Sequence, residues 1–147
     1  MLKFNYNKQR HLSLLKKKDL TFTEQSELKE YSCLLDAMLD WETKEQYIDL
    51  LEKLISRKID AFQFYIEFRE RSDSNGKVYD SLKANFLLLS PHEKAKEFSN
   101  FICEIMDCCY SYSEVFESYE SIGSDHLKFR NNMEEIYLKI QKFLKEE

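Results

Sequence analysis

Histidine and cysteine have the widest chemical reach of the side chains here, and their spacing argues against most of it. The histidines are His11, His92 and His126. A carboxylate-bridged di-metal bundle needs Glu-x-x-His pairs, which bring an acid and an imidazole onto one ion. The residues three before these histidines are Lys8, Leu89 and Gly123. A zinc hydrolase helix needs His-Glu-x-x-His, and His92-Glu93 is followed by Lys96 instead. His92 reads as a surface residue in the first turn of a helix.

The cysteines are Cys33, Cys103, Cys108 and Cys109. No Cys-x-x-Cys occurs, and adjacent cysteines on a helix point in different directions, so neither a zinc knuckle nor a disulfide framework is expected. Reduced, mostly buried thiols of an intracellular protein fit the pattern. A nucleophilic thiol needs a base and a lowered pKa. The acidic, aromatic surroundings of Cys103, Cys108 and Cys109 should raise it. No catalytic group, metal site or cofactor is expected, and the chain is read as a non-enzyme.

Charge and aromatic residues carry more information. Met1 to Lys18 holds six basic residues (Lys3, Lys8, Arg10, Lys16, Lys17, Lys18) and no acid. Glu97 to Leu127 holds seven acids and neither Lys nor Arg, in a chain of formal charge -5. Such asymmetry steers a basic partner toward the acidic end, unless both stretches are merely solvated faces. Within the acidic stretch, Tyr110 and Tyr112 point about 160° apart on a helix of 3.6 residues per turn, so at least one should reach the surface. Tyrosines rimmed by acids make good interface anchors. The expected contact residues are Glu104, Asp107, Tyr110, Tyr112, Glu114 and Glu117. The basic arm offers phosphate neutralisation, but no nucleic-acid motif accompanies it and the chain as a whole is acidic.

The elements that must position this face are helices. In 147 residues there are two glycines and one proline, too few for the turns of a β-sandwich or for a phosphate-binding loop. A chain of this length buries roughly 70% of the surface it exposes when unfolded. Residues 1–22 read as a basic arm or short helix, and 23–147 as the bundle domain. Thr23 is expected to cap a helix to about Asp40. Thr43 and Gln46 have capping-box spacing for a helix to about Arg57. Asp60 and Gln63 open another, ending near Ser72. Ser72-Asp73-Ser74-Asn75-Gly76 reads as a loop, followed by a helix from Val78 to Leu89. Ser90-Pro91-His92-Glu93 reads as a box opening a long helix toward Tyr119. Gly123 should stop that region and Ser124 cap the last helix, whose stripe is Phe129, Met133, Ile136, Tyr137, Ile140, Phe143 and Leu144. The expectation is an all-α antiparallel bundle of five to six helices in a single domain. With no apolar run long enough for a membrane span or signal peptide, the expected location is cytoplasmic, or the plastid stroma if organelle-encoded.

Residues Tyr47 to Arg71, YIDLLEKLISRKIDAFQFYIEFRER, resemble the helix–short loop–helix segment of the colicin D-type bacterial self-immunity proteins. Tyr47, Leu51, Leu54, Ile59, Phe64 and Phe68 stand at the matching positions. The resemblance covers the chain after Tyr47. The first helix and arm are longer than that family's usual beginning, and the Cys108-Cys109 stretch is outside its pattern. The resemblance implies a small helical inhibitor that neutralises a nuclease toxin, its acidic face filling a basic cleft. The competing reading is a structural or assembly subunit docked in a larger complex.

Overall fold

In a computed structural model, the described residues are 6–89, 92–112 and 123–146. They form six helices and no strand: α1 (Lys8–Lys16), α2 (Phe22–Glu42), α3 (Lys44–Ile55), α4 (Ala61–Ala84), α5 (Ala95–Ser111) and α6 (Gly123–Lys145). The all-α class read from the composition is the class observed. The chain divides into two compact units, one of Met1–Glu42 with Asp73–Ser99, the other of Thr43–Ser72 with Asn100–Glu147. The divisions at 72/73 and 99/100 fall inside α4 and α5.

In the second unit the core is built by stripes at three- and four-residue spacing. Phe129, Met133, Ile136, Ile140 and Phe143 of α6 are buried, as are Tyr47, Leu51 and Leu54 of α3, against which α6 packs. Phe64 stacks on Phe68 at 5.9 Å and meets Phe129 at 5.8 Å, while Tyr47 meets Phe68 at 5.5 Å. Each such ring contributes about 1.5–3 kcal/mol by leaving water. Tyr137 and Leu144, expected inward, are half-buried at the edge of the stripe.

In the first unit α1 is tied to α2. Asn7 caps α1 by accepting the Arg10 amide at 3.0 Å. Arg10 then makes a two-pronged pair with Glu27 (2.8 and 2.9 Å), and Lys17 pairs with Glu24 at 2.7 Å. His11 is fully buried, stacked on Tyr31 at 5.2 Å, with the Tyr6 hydroxyl 3.3 Å from Nδ1. Its Nε2 is buried without a hydrogen-bond partner.

Several expected boundaries move, each for a local reason. The α2 cap is Thr21, not Thr23: its Oγ1 accepts the Glu24 amide at 3.2 Å and Glu24 Oε1 accepts the Thr21 amide at 3.0 Å, a reciprocal capping box. Glu24 also holds Lys17, and that hydrogen bond first, with the Thr21 amide second, keeps its carboxyl down at about 2. Thr43 makes no side-chain cap bond: the Gln46 amide donates to the Thr43 backbone carbonyl at 3.0 Å, and the Gln46 side chain accepts from the Arg71 guanidinium. α5 starts at Ala95 rather than at Pro91. His92 precedes it, stacked on Trp41 at 4.3 Å with Nδ1 accepting the Lys94 amide at 3.1 Å in the turn before the helix. Ser90 and Pro91 lie outside the described residues. Gly123 is the first residue of α6, with Ser124 inside it. Gly is tolerated at helix starts, and ends shift by a residue or two.

The largest correction is at 72–76. The expected loop is continuous helix, and α4 runs from Ala61 to Ala84. Asn75 is buried and its Nδ2 donates to Asp40 Oδ1 at 3.4 Å, so tertiary contact overrides a turn-like local composition. The start is as expected, with Asp60 Oδ1 accepting the Gln63 amide at 2.7 Å.

The true helix ends carry no glycine. After α3, the Arg57 amide donates to the Leu54 carbonyl and the Lys58 amide to the Lys53 carbonyl (3.1 and 2.8 Å), with Arg57 at φ 63°. After α4, Phe86 and Leu87 do the same toward Lys83 and Leu82 (3.2 and 2.8 Å), with Phe86 at φ 56°. Both are Schellman motifs whose left-handed position usually holds glycine.

Two outcomes follow. A Cβ at Gly76 meets no atom within 4 Å, so Gly76→Ala should raise unfolding stability by about 0.5–1 kcal/mol, as expected inside a helix and not in a turn; denaturant titration reads this. Burial first, and Lys83 next, lower the His11 pKa below its ordinary 6.5. The native state then refuses a proton that the unfolded chain accepts, so stability is fully present above that value and declines as the pH falls below it. The unfolding midpoint should drop from about pH 7 to about pH 5.5, and His11→Phe should lessen the drop.

Candidate partner-binding face

α5 is amphipathic along its length. Phe98, Ile102, Ile105 and Cys109 are buried at four- and three-residue steps. The opposite side, Cys103, Glu104, Asp107 and Tyr110, is exposed, the i, i+4, i+7 pattern of one helix face. The structure thus brings Glu104, Asp107 and Tyr110 together on one open stripe, with Tyr110 at 68% exposure.

Tyr112 leaves that set. It turns inward, half-buried, with its ring edge-on to Phe129 at 5.4 Å and its hydroxyl accepting Asn132 Nδ2 at 3.5 Å. Of the two tyrosines pointing apart, Tyr110 is the one at the surface. Glu114 and Glu117 lie outside the described residues, as do Phe116 and Tyr119.

The stripe's charge is weakly compensated. Glu104 has Lys139 at 4.0 Å, the outer limit of an ion pair, with both side chains about half exposed or more. Such a pair contributes little in water. Asp107 has no ion pair among the described residues; its backbone carbonyl accepts the Ser111 hydroxyl at 3.0 Å. Two acids and a phenol facing solvent present a surface that attracts cations at range and offers Tyr110 as an apolar contact.

The cysteines depart from expectation. Only Cys109 is buried; Cys108 is half-buried, and Cys33 and Cys103 are exposed. On α2 and α5 these two sit at positions the helical period turns outward, which no count of cysteines reveals. Burial, then Cys108, pushes the Cys109 thiol up to about 12. The Cys108 thiol is also raised, by burial first and then by Glu104 and Asp107. The direction matches the acidic-surroundings reading, but desolvation is the larger cause. No group of three or more His, Cys, Asp or Glu that could hold a metal ion occurs among the described residues.

Sequence reasoning missed the polar cluster of the first unit. Asp40, 8% exposed, accepts from Asn75 and, at 2.8 Å, from the Ser99 hydroxyl. A cavity of about 390 Å³ opens along α2 in the same unit, lined by Lys29, Glu30, Cys33, Leu34 and Lys96. The only sequence signal for Asp40 is its place on the inward side of α2, between Leu39 and Trp41. No helix among the described residues is long and apolar enough to cross a membrane.

Thiol chemistry checks this placement. In the folded protein a neutral maleimide should label Cys33 and Cys103 quickly, Cys108 slowly and Cys109 only after unfolding; peptide mapping identifies the order, and rapid Cys109 labelling would contradict the packing described.

Comparison of the chain with family models, with curated proteins and with solved structures finds no match in any of the three.

Proposed function

We propose that the chain is a non-enzymatic protein-binding domain that takes a basic protein partner on the acidic, tyrosine-bearing face of α5. The supporting observation is that Glu104, Asp107 and Tyr110 share one exposed stripe while the opposite side of the same helix is sealed in the core. A nuclease toxin is the partner class that joins this face to the immunity-protein resemblance of Tyr47–Arg71. Enzymes that cut RNA offer cationic clefts to the phosphate backbone, and an acidic ridge substitutes for that backbone. Inhibition then needs only fast association and occlusion, with no bond made or broken by the inhibitor.

One observation favours the second reading, a subunit docked permanently in an assembly. Phe22 is 83% exposed, and Leu87 and Leu138 stand at 57% and 60%. Single exposed apolar side chains are ordinary on soluble proteins, so the charged face carries more weight.

The test uses the partner obtained by affinity capture from the native cell. Glu104→Gln, Asp107→Asn and Tyr110→Ala combined should keep the helical circular dichroism, slow association about tenfold at low salt, and converge with the parent chain at high salt. Equal association rates at low salt would refute the acidic-face mechanism. A free chain that is not monomeric, or that co-purifies with a stable assembly, would favour the docked subunit.

A further inference from the structure

We infer that a cleft at the α3–α4 corner, separate from the acidic face, is a binding site for small phosphate monoesters with an apolar body. The cleft encloses about 370 Å³ between that corner and the first turns of α6, within the size range of small-molecule sites. Leu54, Ile59 and Ala61 give it apolar walls; Arg57, Arg130 and His126 bring nitrogen donors to it. Neither guanidinium forms an ion pair or side-chain hydrogen bond among the described residues, and Arg130 is half-buried. A half-buried cation without a counter-ion is costly to keep, and an anionic ligand supplies one.

The acid in the cleft, Asp60, is already committed. Its carboxylate accepts the Gln63 amide at 2.7 Å and caps α4. Two arginines against one capped aspartate leave a net positive site. A guanidinium matches a phosphate through two parallel N–H donors, a geometry that lysine does not offer.

The backbone supplies an independent reason to assign a role to Arg57. It stands at φ 63° in the left-handed position of the α3 Schellman motif, where glycine is the low-cost residue. Strain of this kind concentrates at ligand sites, where the side chain does work the backbone disfavours. Here the strained residue is also one of the two cations of the cleft.

The position provides its own control, because Arg57→Gly removes the charge while easing the backbone. Phenyl phosphate, inorganic phosphate and phenol would be titrated separately into the full chain, following the Ile59 and Leu127 amides by NMR. Phenyl phosphate should bind saturably, inorganic phosphate more weakly at the same amides, and phenol weakest. Arg57→Gly and Arg130→Gln should each weaken phenyl phosphate about tenfold with no loss of thermal stability in the glycine variant. The proposal is overturned if phenyl phosphate gives no saturable shifts, if phenol binds as well as the ester, or if both variants bind like the parent. All these outcomes are independent of whether a protein docks on α5.

Discussion

A carboxylate taken out of water must find donors, and Asp40 imposes that demand on three helices at once. It projects from α2 into the first unit, where Asn75 of α4 and Ser99 of α5 supply hydrogen bonds. Leaving a buried charge unsatisfied costs several kcal/mol, more than any local preference along α4 recovers. Asn75 must therefore face inward, and residues 72–76 stay helical although serine, aspartate, asparagine and glycine favour turns there. Around this point Leu34, Ala37, Met38 and Ala95 close the apolar core, with Tyr6, Trp41 and Leu89 against it. Trp41 in turn meets Phe98 at 5.8 Å and His92 at 4.3 Å, so the start of α5 is set by the same cluster. A polar contact of this sort adds little net stability.

What the sequence made legible was periodic and local. The 3–4 stripe of α6 was readable because five large apolar residues repeat without interruption. Asp60 and Gln63 were readable because a cap needs only its own neighbours. That at least one of Tyr110 and Tyr112 reaches the surface followed from helical geometry; which one did not. The readings that moved depend on distant partners. Gln46 gives its side chain to Arg71 of α4, and Thr21 rather than Thr23 forms the box with Glu24, which also holds Lys17. The open cysteines were misplaced by a rule about cysteine in general, when the helical phase of Cys33 and Cys103 decided the matter. The exposed stripe of α5 was legible in part: Glu104, Asp107 and Tyr110 share a face because their spacing requires it, whereas Tyr112 turns toward Phe129, a contact 17 positions away in the chain.

Glycine misled for a physical reason. With only two in the chain, they look like punctuation, yet Gly76 lies within α4 and Gly123 begins α6. The left-handed positions that glycine would suit are held by Arg57 and Phe86. Each costs about 1–2 kcal/mol relative to an ordinary backbone. At Phe86 part of this is returned by Lys16, whose ammonium lies 5.4 Å from the ring centroid, a contact of about 0.5–1 kcal/mol at an exposed site. No comparable contact serves Arg57 among the described residues.

The same accounting distinguishes the two charged stretches, which look equivalent on paper. Three of the six cations of the amino-terminal stretch have partners at the surface of the first unit: Arg10 on Glu27, Lys17 on Glu24, Lys16 on the Phe86 ring. They join α1 to its own unit. Among the described acids of α5, Asp107 has no such partner and Glu104 only a distant one. A charge already paired with a neighbour projects a weak field, while one left open projects a field that reaches about a Debye length, some 8–10 Å in cellular salt. That difference in pairing is the ground on which the proposed partner face is placed on α5 rather than on the basic segment.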